Sequence, residues 1–378
     1  IIMNIIFWTI YYIKCGINII LAKIFNYFKS INTHKPKKNV NKKELSDYLF
    51  LINLEGTYYE MGKQYGTLMK EIIQRDNNKF INFMKSTQSV YMKRLNPIIK
   101  NKLQNNDVID ACYKMYLNCL YFLPPDITDY FKGVSEGADI DLKELITTNF
   151  FYELMENHCI MYAKKTDKGL LGIRTLDLCS PILAQSLTVF NPKGKNKYIT
   201  LGHSFVLGAA TMISEKGLIL GESFYDYNLG KDERMGIPFY LLFHQIMSEA
   251  NNIVEAKDIM REAKRIGNLQ ISVFDYLEND AVIYNYSSCN LIKNQKFSSN
   301  TSVIYSVTPG EKERFEKHKN DFNNAEEAIH NMLPMVKSGE LHVMIYHDNY
   351  IYVSVTTDII QSYNNNFTKL NLKDLFSD

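Results

Sequence analysis

Residues 159–177 read CIMYAKKTDKGLLGIRTLD, and the character of the chain changes at this stretch. The sequence before it has mostly helical periodicity, whereas CIMYAKK, GLLGIRTLDL and many later runs read as strands or hairpins. A further helical stretch lies between these strand runs, in IPFYLLFHQIMSEANNIVEAKDIMREAKRI. This order of elements predicts a layered α+β body.

The composition is that of a globular protein. The chain has 378 residues, of which 46% are apolar and 22% charged, so it can form one large domain or two ordinary ones. Its formal net charge is +2, which gives no electrostatic footprint for nucleic acid. We therefore expect no nucleic-acid partner, and the oligomeric state is left open.

Cysteine and histidine spacing does not predict a metal site or a cofactor. None of the six cysteines forms a C-x-x-C pair, and the eight histidines lack H-x-x-x-H spacing. A chain of this length also does not read as a disulfide framework, although a bridge between Cys112 and Cys119 is left open. We expect no metal and no cofactor.

The amino-terminal stretch is apolar for about as long as a membrane span requires. We predict membrane association through residues 5–28, although Lys14 is costly in a membrane and a buried or interfacial helix is the alternative. Basic residues follow, and the positive-inside rule would keep the rest of the chain in the cytoplasm. The location is thus membrane-associated or extracytoplasmic, with the orientation open.

Three regions are predicted along the chain. Residues 1–45 form the apolar segment and a basic linker, residues 46–158 a mostly helical pro-region, and residues 159–378 the catalytic domain. In the pro-region, YLFLINLEG is a strand candidate, and Thr57 is a candidate N-cap for the helix that follows. Gly62 and Gly66 lie four apart on that helix, which predicts close packing against another element. Asp141 is a candidate cap for a later helix.

Cys159 is the main candidate for chemistry. A thiol reacts as the thiolate and needs a base, but the adjacent His158 would point to the opposite face of a strand. The α-amine of Cys159 itself would be a competent base if the chain were cut before it. Arg174 and Asp177 could then orient the amine and supply charge. The alternatives are an inert buried cysteine and a structural Arg174–Asp177 ion pair.

Several segments together resemble the isopenicillin-N acyltransferase-like (penicillin acyltransferase-like cysteine peptidase) family of amino-terminal-nucleophile hydrolases. The resemblance includes GTYYEMGKQYGTLMKEI, FKGVSEGADIDLKELITTNFFYEL, Cys159 with KGLLGIRTLDL, and GHSFVLGAATMISEKGLILGESF. It covers roughly residues 48 to 290, in the family's order and spacing. It implies a four-layer αββα fold and a precursor that cleaves itself between His158 and Cys159.

The resemblance also implies roles for individual residues. Cys159 would be both nucleophile and base, Asp177 would hold its α-amine, and Arg174 would support the charge of the site. Asn268 would supply an oxyanion contact. Ser223 and Thr175 would lie on the substrate side. The implied activity is a self-processing amidase or acyltransferase that acts through a thioester on linear amide bonds of a small acyl substrate, with a lipid-like acyl group compatible.

The sequence departs from the family pattern at Ile173, Thr175 and Ser214. These departures keep two alternatives open: a phospholipase-B-like ester hydrolase of the same fold, and a catalytically inactive relative that binds acyl ligands. Glu222 and Asp226 flank an aromatic stretch and read as a solvated strand end. His203 and His244 lie in apolar settings and are expected to be core histidines.

Overall fold

The alternating apolar runs form two β-sheets. The computed structural model describes residues 30–33, 41–94, 107–155, 158–178, 180–224 and 235–377. The strands are β1 (Ile31–Thr33), β2 (Lys42–Ser46), β3 (Leu49–Gly56), β4 (His158–Thr166), β5 (Gly169–Asp177), β6 (Gln185–Pro192), β7 (Tyr198–His203), β8 (Thr211–Ser214), β9 (Leu218–Phe224), β10 (Asn268–Asp275), β11 (Asp280–Ser287), β12 (Leu291–Lys296), β13 (Val303–Val307), β14 (His342–His347), β15 (Tyr350–Val355) and β16 (Phe367–Asn371). One sheet has the order β1-β16-β15-β14-β5-β4-β13, and the other has the order β12-β11-β10-β9-β8-β7-β6-β3-β2.

Helices cover the outer faces of both sheets. They are α1 (Tyr58–Arg94), α2 (Val108–Cys119), α3 (Pro125–Ala138), α4 (Leu142–Phe150), α5 (Phe239–Glu249), α6 (Ile253–Glu262), α7 (Pro309–His318), α8 (Ala325–Glu327), α9 (Leu333–Val336) and α10 (Leu372–Phe376). A 3-10 turn (Phe151–Leu154) follows α4, a π turn (Ala328–Met332) joins α8 to α9, and a second 3-10 turn (Ser362–Asn364) precedes β16.

Three apolar cores separate the layers. The first lies between helices α1 to α6 and the nine-stranded sheet, the second between the two sheets, and the third between the seven-stranded sheet and α7 to α9. The layers therefore follow the order helix, sheet, sheet, helix. The predicted α+β, four-layer αββα architecture is confirmed.

The β4–β5 hairpin lies near the middle of the seven-stranded sheet and carries the candidate nucleophile. Cys159 lies opposite Leu176, and Met161 lies opposite Arg174. Because side chains alternate along a strand, these four residues share the face that points to the other sheet. Ile160 and its neighbours on the opposite face pack against α7 to α9.

The predicted helix starts are confirmed by their hydrogen bonds. Thr57 and Glu60 form a capping box, since Thr57 N donates to Glu60 Oε2 at 2.8 Å and Glu60 N donates to Thr57 Oγ1 at 3.3 Å. Asp141 caps α4 by accepting from Glu144 N at 3.0 Å. Both caps satisfy backbone N–H groups that have no partner within the helix.

The boundary drawn at residue 46 is too late. β2 (Lys42–Ser46) already pairs with β3 at the edge of the nine-stranded sheet, and β1 (Ile31–Thr33) pairs with β16. The lysines of β2 made this stretch read as a linker, although edge strands commonly carry lysine. β3 then pairs in parallel with β6, so the region before Cys159 contributes strands to a sheet of the catalytic layers.

The predicted membrane segment, residues 5–28, lies outside the described residues. Within the part of the chain that the structure describes, no helix combines the length and the apolarity needed to cross a membrane.

Glycines bring α1 and α3 into backbone contact, as Gly62 and Gly66 predicted. A Cβ atom on Gly66 would lie 2.5 Å from Val134 O, and one on Gly62 would lie 2.4 Å from Tyr130 O. The partner helix repeats the pattern, because a Cβ on Gly133 would lie 2.2 Å from Tyr59 O. Backbone atoms cannot move aside like the end of a flexible side chain, so this contact requires glycine on both helices.

We expect Gly66→Ala and Gly133→Ala each to lower the free energy of unfolding by about 1–3 kcal/mol through overpacking. This loss exceeds the gain of about 1 kcal/mol that alanine brings to a helix. Gly310→Ala is the matched control, because a Cβ at this position of α7 meets no atom within 4 Å. Urea denaturation of the three variants measures the effect. Equal stabilities for all three would contradict the close packing.

Candidate active site

Cys159 lies at the start of β4, inside the molecule. Its side chain is fully buried. Its backbone N donates to Thr308 Oγ1 at 2.9 Å, and Thr308 N donates to Cys159 O at 3.1 Å. Thr308 follows β13, the neighbouring strand, and therefore holds the backbone of Cys159 on both sides of its Cα atom.

A buried ion pair lies beside the thiol. Arg174 Nη2 and Glu222 Oε1 are 2.9 Å apart, and the two side chains are 1% and 2% exposed. Cys159 Sγ lies 3.6 Å from the same Glu222 oxygen. Arg174 comes from β5 and Glu222 from β9, so the pair joins the two sheets next to the cysteine. The prediction that Glu222 is a solvated strand end is therefore wrong, and Asp226, named with it, lies outside the described residues.

Glycine makes room for this pair. Gly221 precedes Glu222 on β9, and a Cβ there would lie 2.3 Å from Met161 Sδ and 3.1 Å from Arg174 Cδ. The arginine stem thus passes directly over the Gly221 backbone. Any larger residue at this position would move the guanidinium away from the thiol.

Charge and burial act in opposite directions on the thiol. Burial raises the pKa of Cys159 well above its ordinary value, and the Arg174 side chain lowers this pKa by its charge and by a hydrogen bond. The negative charges of Glu222 and Asp177 raise it again. In the uncut chain described here, Cys159 is therefore held as a neutral thiol.

Asp177 lies near Cys159 but does not pair with Arg174. Gly339 N and Glu340 N both donate to Asp177 Oδ1 at 2.6 Å, and the Ser338 hydroxyl donates to Asp177 Oδ2. Its strand partner is His158, the residue before Cys159. Burial raises the pKa of Asp177 to about 7, while these hydrogen bonds lower it. The alternative of an Arg174–Asp177 ion pair is excluded.

Thr175 lies on the face of β5 that points away from Cys159 and Arg174. Ile160 N donates to Thr175 Oγ1 at 3.0 Å, and Thr175 Oγ1 lies 2.5 Å from Ser338 Oγ. A line of hydrogen bonds thus runs from Asp177 through Ser338 and Thr175 to the residue that follows Cys159. It fixes the start of β4 from the helix side of the sheet.

Ser223 and Asn268 lie on adjacent strands of the nine-stranded sheet. Ser223 follows Glu222 on β9, and its hydroxyl is hydrogen bonded to that of Ser306. Asn268 opens β10 opposite Ser287, so it is a strand residue rather than the helix cap that is its structural alternative. Its Oδ1 atom is buried and has no hydrogen-bond partner among the described residues.

Glu222 and Thr308 are the site residues that sequence reasoning missed. They lie 63 and 149 positions from Cys159 along the chain, and only the strand pairing brings them to it. The prediction for the histidines was better. His203 and His244 are buried, and His244 bonds to Tyr198 OH at 2.9 Å and to Leu207 O at 2.7 Å.

The structure also bears on the other cysteines and on metals. Cys112 and Cys119 are both buried free thiols, so the bridge left open between them does not form. Within the described ranges, no group of three or more histidine, cysteine, aspartate or glutamate side chains could hold a metal ion.

Comparisons with known proteins give distant similarities. No family model matches the chain. Protein dcd1A of Dictyostelium discoideum is 24% identical over 86% of this chain and 86% of its own length. Protein dcd1B of the same organism is 23% identical over 88% of this chain and 76% of its own length.

Similar solved structures align with little more than half of the chain. Penicillin V acylase from Agrobacterium tumefaciens has a TM-score of 0.43 and 11% identity over 57% of this chain and 88% of its own. A mutant conjugated bile acid hydrolase from Clostridium perfringens has a TM-score of 0.39 and 13% identity over 58% and 94%. An N-acylethanolamine-hydrolyzing acid amidase ortholog from Caenorhabditis elegans has a TM-score of 0.36 and 11% identity over 55% and 98%.

The raised pKa of Asp177 predicts a pH dependence of stability. The folded protein keeps this proton up to about pH 7, whereas the unfolded chain releases it near the ordinary value of 3.8. Stability from this group is therefore lost as the pH rises between these values, with a slope of at most about 1.4 kcal/mol per pH unit. Asp177→Asn lacks this slope.

The test compares urea denaturation of the two proteins from about pH 4 to about pH 8, in a Cys159→Ala background that keeps the chain intact. We expect the stability of the protein that keeps Asp177, measured relative to the Asp177→Asn variant, to fall with pH and then level off above neutrality. A difference that rises with pH would mean that the three hydrogen-bond donors outweigh burial and that Asp177 is ionised throughout.

Proposed function

We propose that this protein is a cysteine amidase or acyltransferase that cuts its own chain between His158 and Cys159 and then uses Cys159 as an amino-terminal nucleophile. The observation that supports this most is the position of Cys159. Its thiol lies 3.6 Å from Glu222 beside Arg174, and its nitrogen is directed at the Thr308 hydroxyl. One residue thus presents both a nucleophile and a future amine to polar partners inside an apolar core.

The first reaction is on the chain itself. The Cys159 sulfur attacks the carbonyl carbon of His158, the bond from that carbon to the Cys159 nitrogen breaks, and the nitrogen takes up the thiol proton. Water then hydrolyses the thioester, which leaves a carboxylate on His158 and returns a thiol to Cys159. Because Thr308 already accepts a hydrogen bond from this nitrogen, the new α-amine starts in position.

The α-amine is the base for the second reaction. An α-amino group has a pKa of about 8, so it can accept the thiol proton near neutral pH. Thr308 holds the amine directly. Asp177 acts from the other face of β5, where its hydrogen bonds through Ser338 and Thr175 fix the backbone next to Cys159. Thr175 then supports the nucleophile and does not contact the substrate.

The thiolate attacks the amide carbonyl of a small acyl substrate. Arg174 stabilises the thiolate, and Glu222 keeps the guanidinium in place. The Asn268 side chain amide, whose oxygen has no partner among the described residues, donates to the oxyanion. The carbon–nitrogen bond breaks, the amine leaves with the proton, and the acyl thioester passes to water or to an acceptor amine. Ser223, next to Glu222, borders the acyl group.

The decisive experiment is the intact mass of the purified protein beside that of Cys159→Ala. We expect the wild type to give two fragments that meet between His158 and Cys159, because the thiol is required for the cut. The Cys159→Ala chain should stay whole. Cys112→Ala is the matched control, since Cys112 is also a buried thiol but lies in α2, and it should be cut like the wild type.

Activity is then measured on the cut protein with acyl amides and with the matching esters. The amides include penicillin V, a conjugated bile acid and an N-acylethanolamine, which test three shapes of acyl amide. Faster turnover of the esters would favour the phospholipase-B-like alternative. A wild-type chain that stays whole and inactive would contradict the proposal and favour the ligand-binding relative.

A further inference from the structure

A row of buried polar side chains crosses between the two sheets beside Arg174. Arg174 Nε donates to Thr211 Oγ1 at 3.3 Å, and Thr211 Oγ1 lies 2.8 Å from His342 Nε2. His342 Nδ1 lies 2.6 Å from Gln185 Oε1, and Gln185 Nε2 donates to Leu341 O at 2.9 Å. The row alternates between the sheets, from β5 to β8, then to β14, and then to β6.

The hydrogen bonds fix the direction of every donor in this row. Because the Gln185 amide nitrogen donates to Leu341 O, its oxygen must accept, and His342 Nδ1 therefore carries a proton. Burial lowers the pKa of His342 well below its ordinary value, so the ring is neutral and Nε2 is an acceptor. The Thr211 hydroxyl must then donate to Nε2, which leaves its lone pairs for the Arg174 Nε–H.

The same row explains how the guanidinium is oriented. With Nε fixed by Thr211, Nη1 donates to the carbonyl oxygens of Thr175 at 3.0 Å and of Glu222 at 2.5 Å. Nη2 donates to Glu222 Oε1 at 2.9 Å, and the side chain also hydrogen bonds to the Cys159 thiol. Every side of the fork therefore has a partner, and Thr211 sets the rotation of the whole group.

The far end of the row returns to the nucleophile. Leu341, whose carbonyl accepts from Gln185, donates its N–H to Leu176 O at 2.9 Å, and Leu176 is the strand partner of Cys159. Gln185, His342 and Thr211 are all fully buried. Because a buried polar group that loses its partner destabilises the fold, the members of the row hold one another in a single arrangement.

We propose that Thr211, His342 and Gln185 are positioning residues that set the orientation of Arg174 toward Cys159. This inference rests on the proposed function for its effect on catalysis, but the orientation itself is a property of the uncut chain. None of the three touches the thiol. They act only through the guanidinium, by accepting its Nε–H through a chain of donors that runs in one direction.

The kinetic test replaces Thr211 with valine, which has the same shape but no hydroxyl, and with serine, which keeps it. In the cut enzyme, Thr211→Val should lower kcat by about 10–100-fold with little change in KM, as for other supporting residues. Thr211→Ser should restore most of the rate. Thr147→Val is the matched control, because Thr147 Oγ1 is buried with no hydrogen-bond partner among the described residues. Equal kcat values for wild type and Thr211→Val would overturn the proposal.

Nitrogen NMR of the full chain, labelled in arginine and histidine, tests the orientation without activity. We expect His342 to carry its proton on Nδ1, and the Arg174 Nε–H to be protected from solvent exchange in wild type and Thr211→Ser but not in Thr211→Val. A proton on His342 Nε2, or equal protection in all variants, would overturn the proposal. If the protein neither cuts itself nor hydrolyses amides, the proposed function fails, and the positioning role is decided by these signals alone.

Discussion

The ion pair of Arg174 and Glu222 is the interaction on which the site depends. A guanidinium with 1% exposure has lost its water, so its N–H groups need protein partners. It finds them on both sheets, which fixes the separation and register of the sheets at this point. Removing one partner of such a pair costs about 3–5 kcal/mol, since the other charge stays buried. The backbone of Gly221 makes the close approach possible.

The same pair explains why activation needs a further group. Arg174 favours the Cys159 thiolate, but the nearby carboxylate of Glu222 opposes it. Together with burial, the balance leaves a neutral thiol, so the arginine alone does not generate the nucleophile. A base must take the proton, and the nitrogen of Cys159, held by Thr308, is suitably placed once it is free. Processing and catalysis are thus linked through one residue.

The sequence predicts what depends on local patterns. The Thr57 and Asp141 caps, the glycine contact at Gly62 and Gly66, and the order of the layers follow from spacing and residue type. Glu222 and Thr308 could not be found in this way, because strand pairing between distant segments sets their positions. β2 was missed because its lysines, which suit an edge strand, resemble those of a linker.

Trapping the acyl group on the enzyme would show directly whether Cys159 is an amino-terminal nucleophile. The protein is mixed briefly with an acyl amide substrate, quenched in acid so that the acyl group stays on sulfur, digested and analysed by mass spectrometry. We predict a peptide that begins at Cys159 with a free amine and carries the acyl group as a thioester. An acyl group on another residue, or only the uncut peptide that spans His158 and Cys159 without acyl, would contradict this role of Cys159.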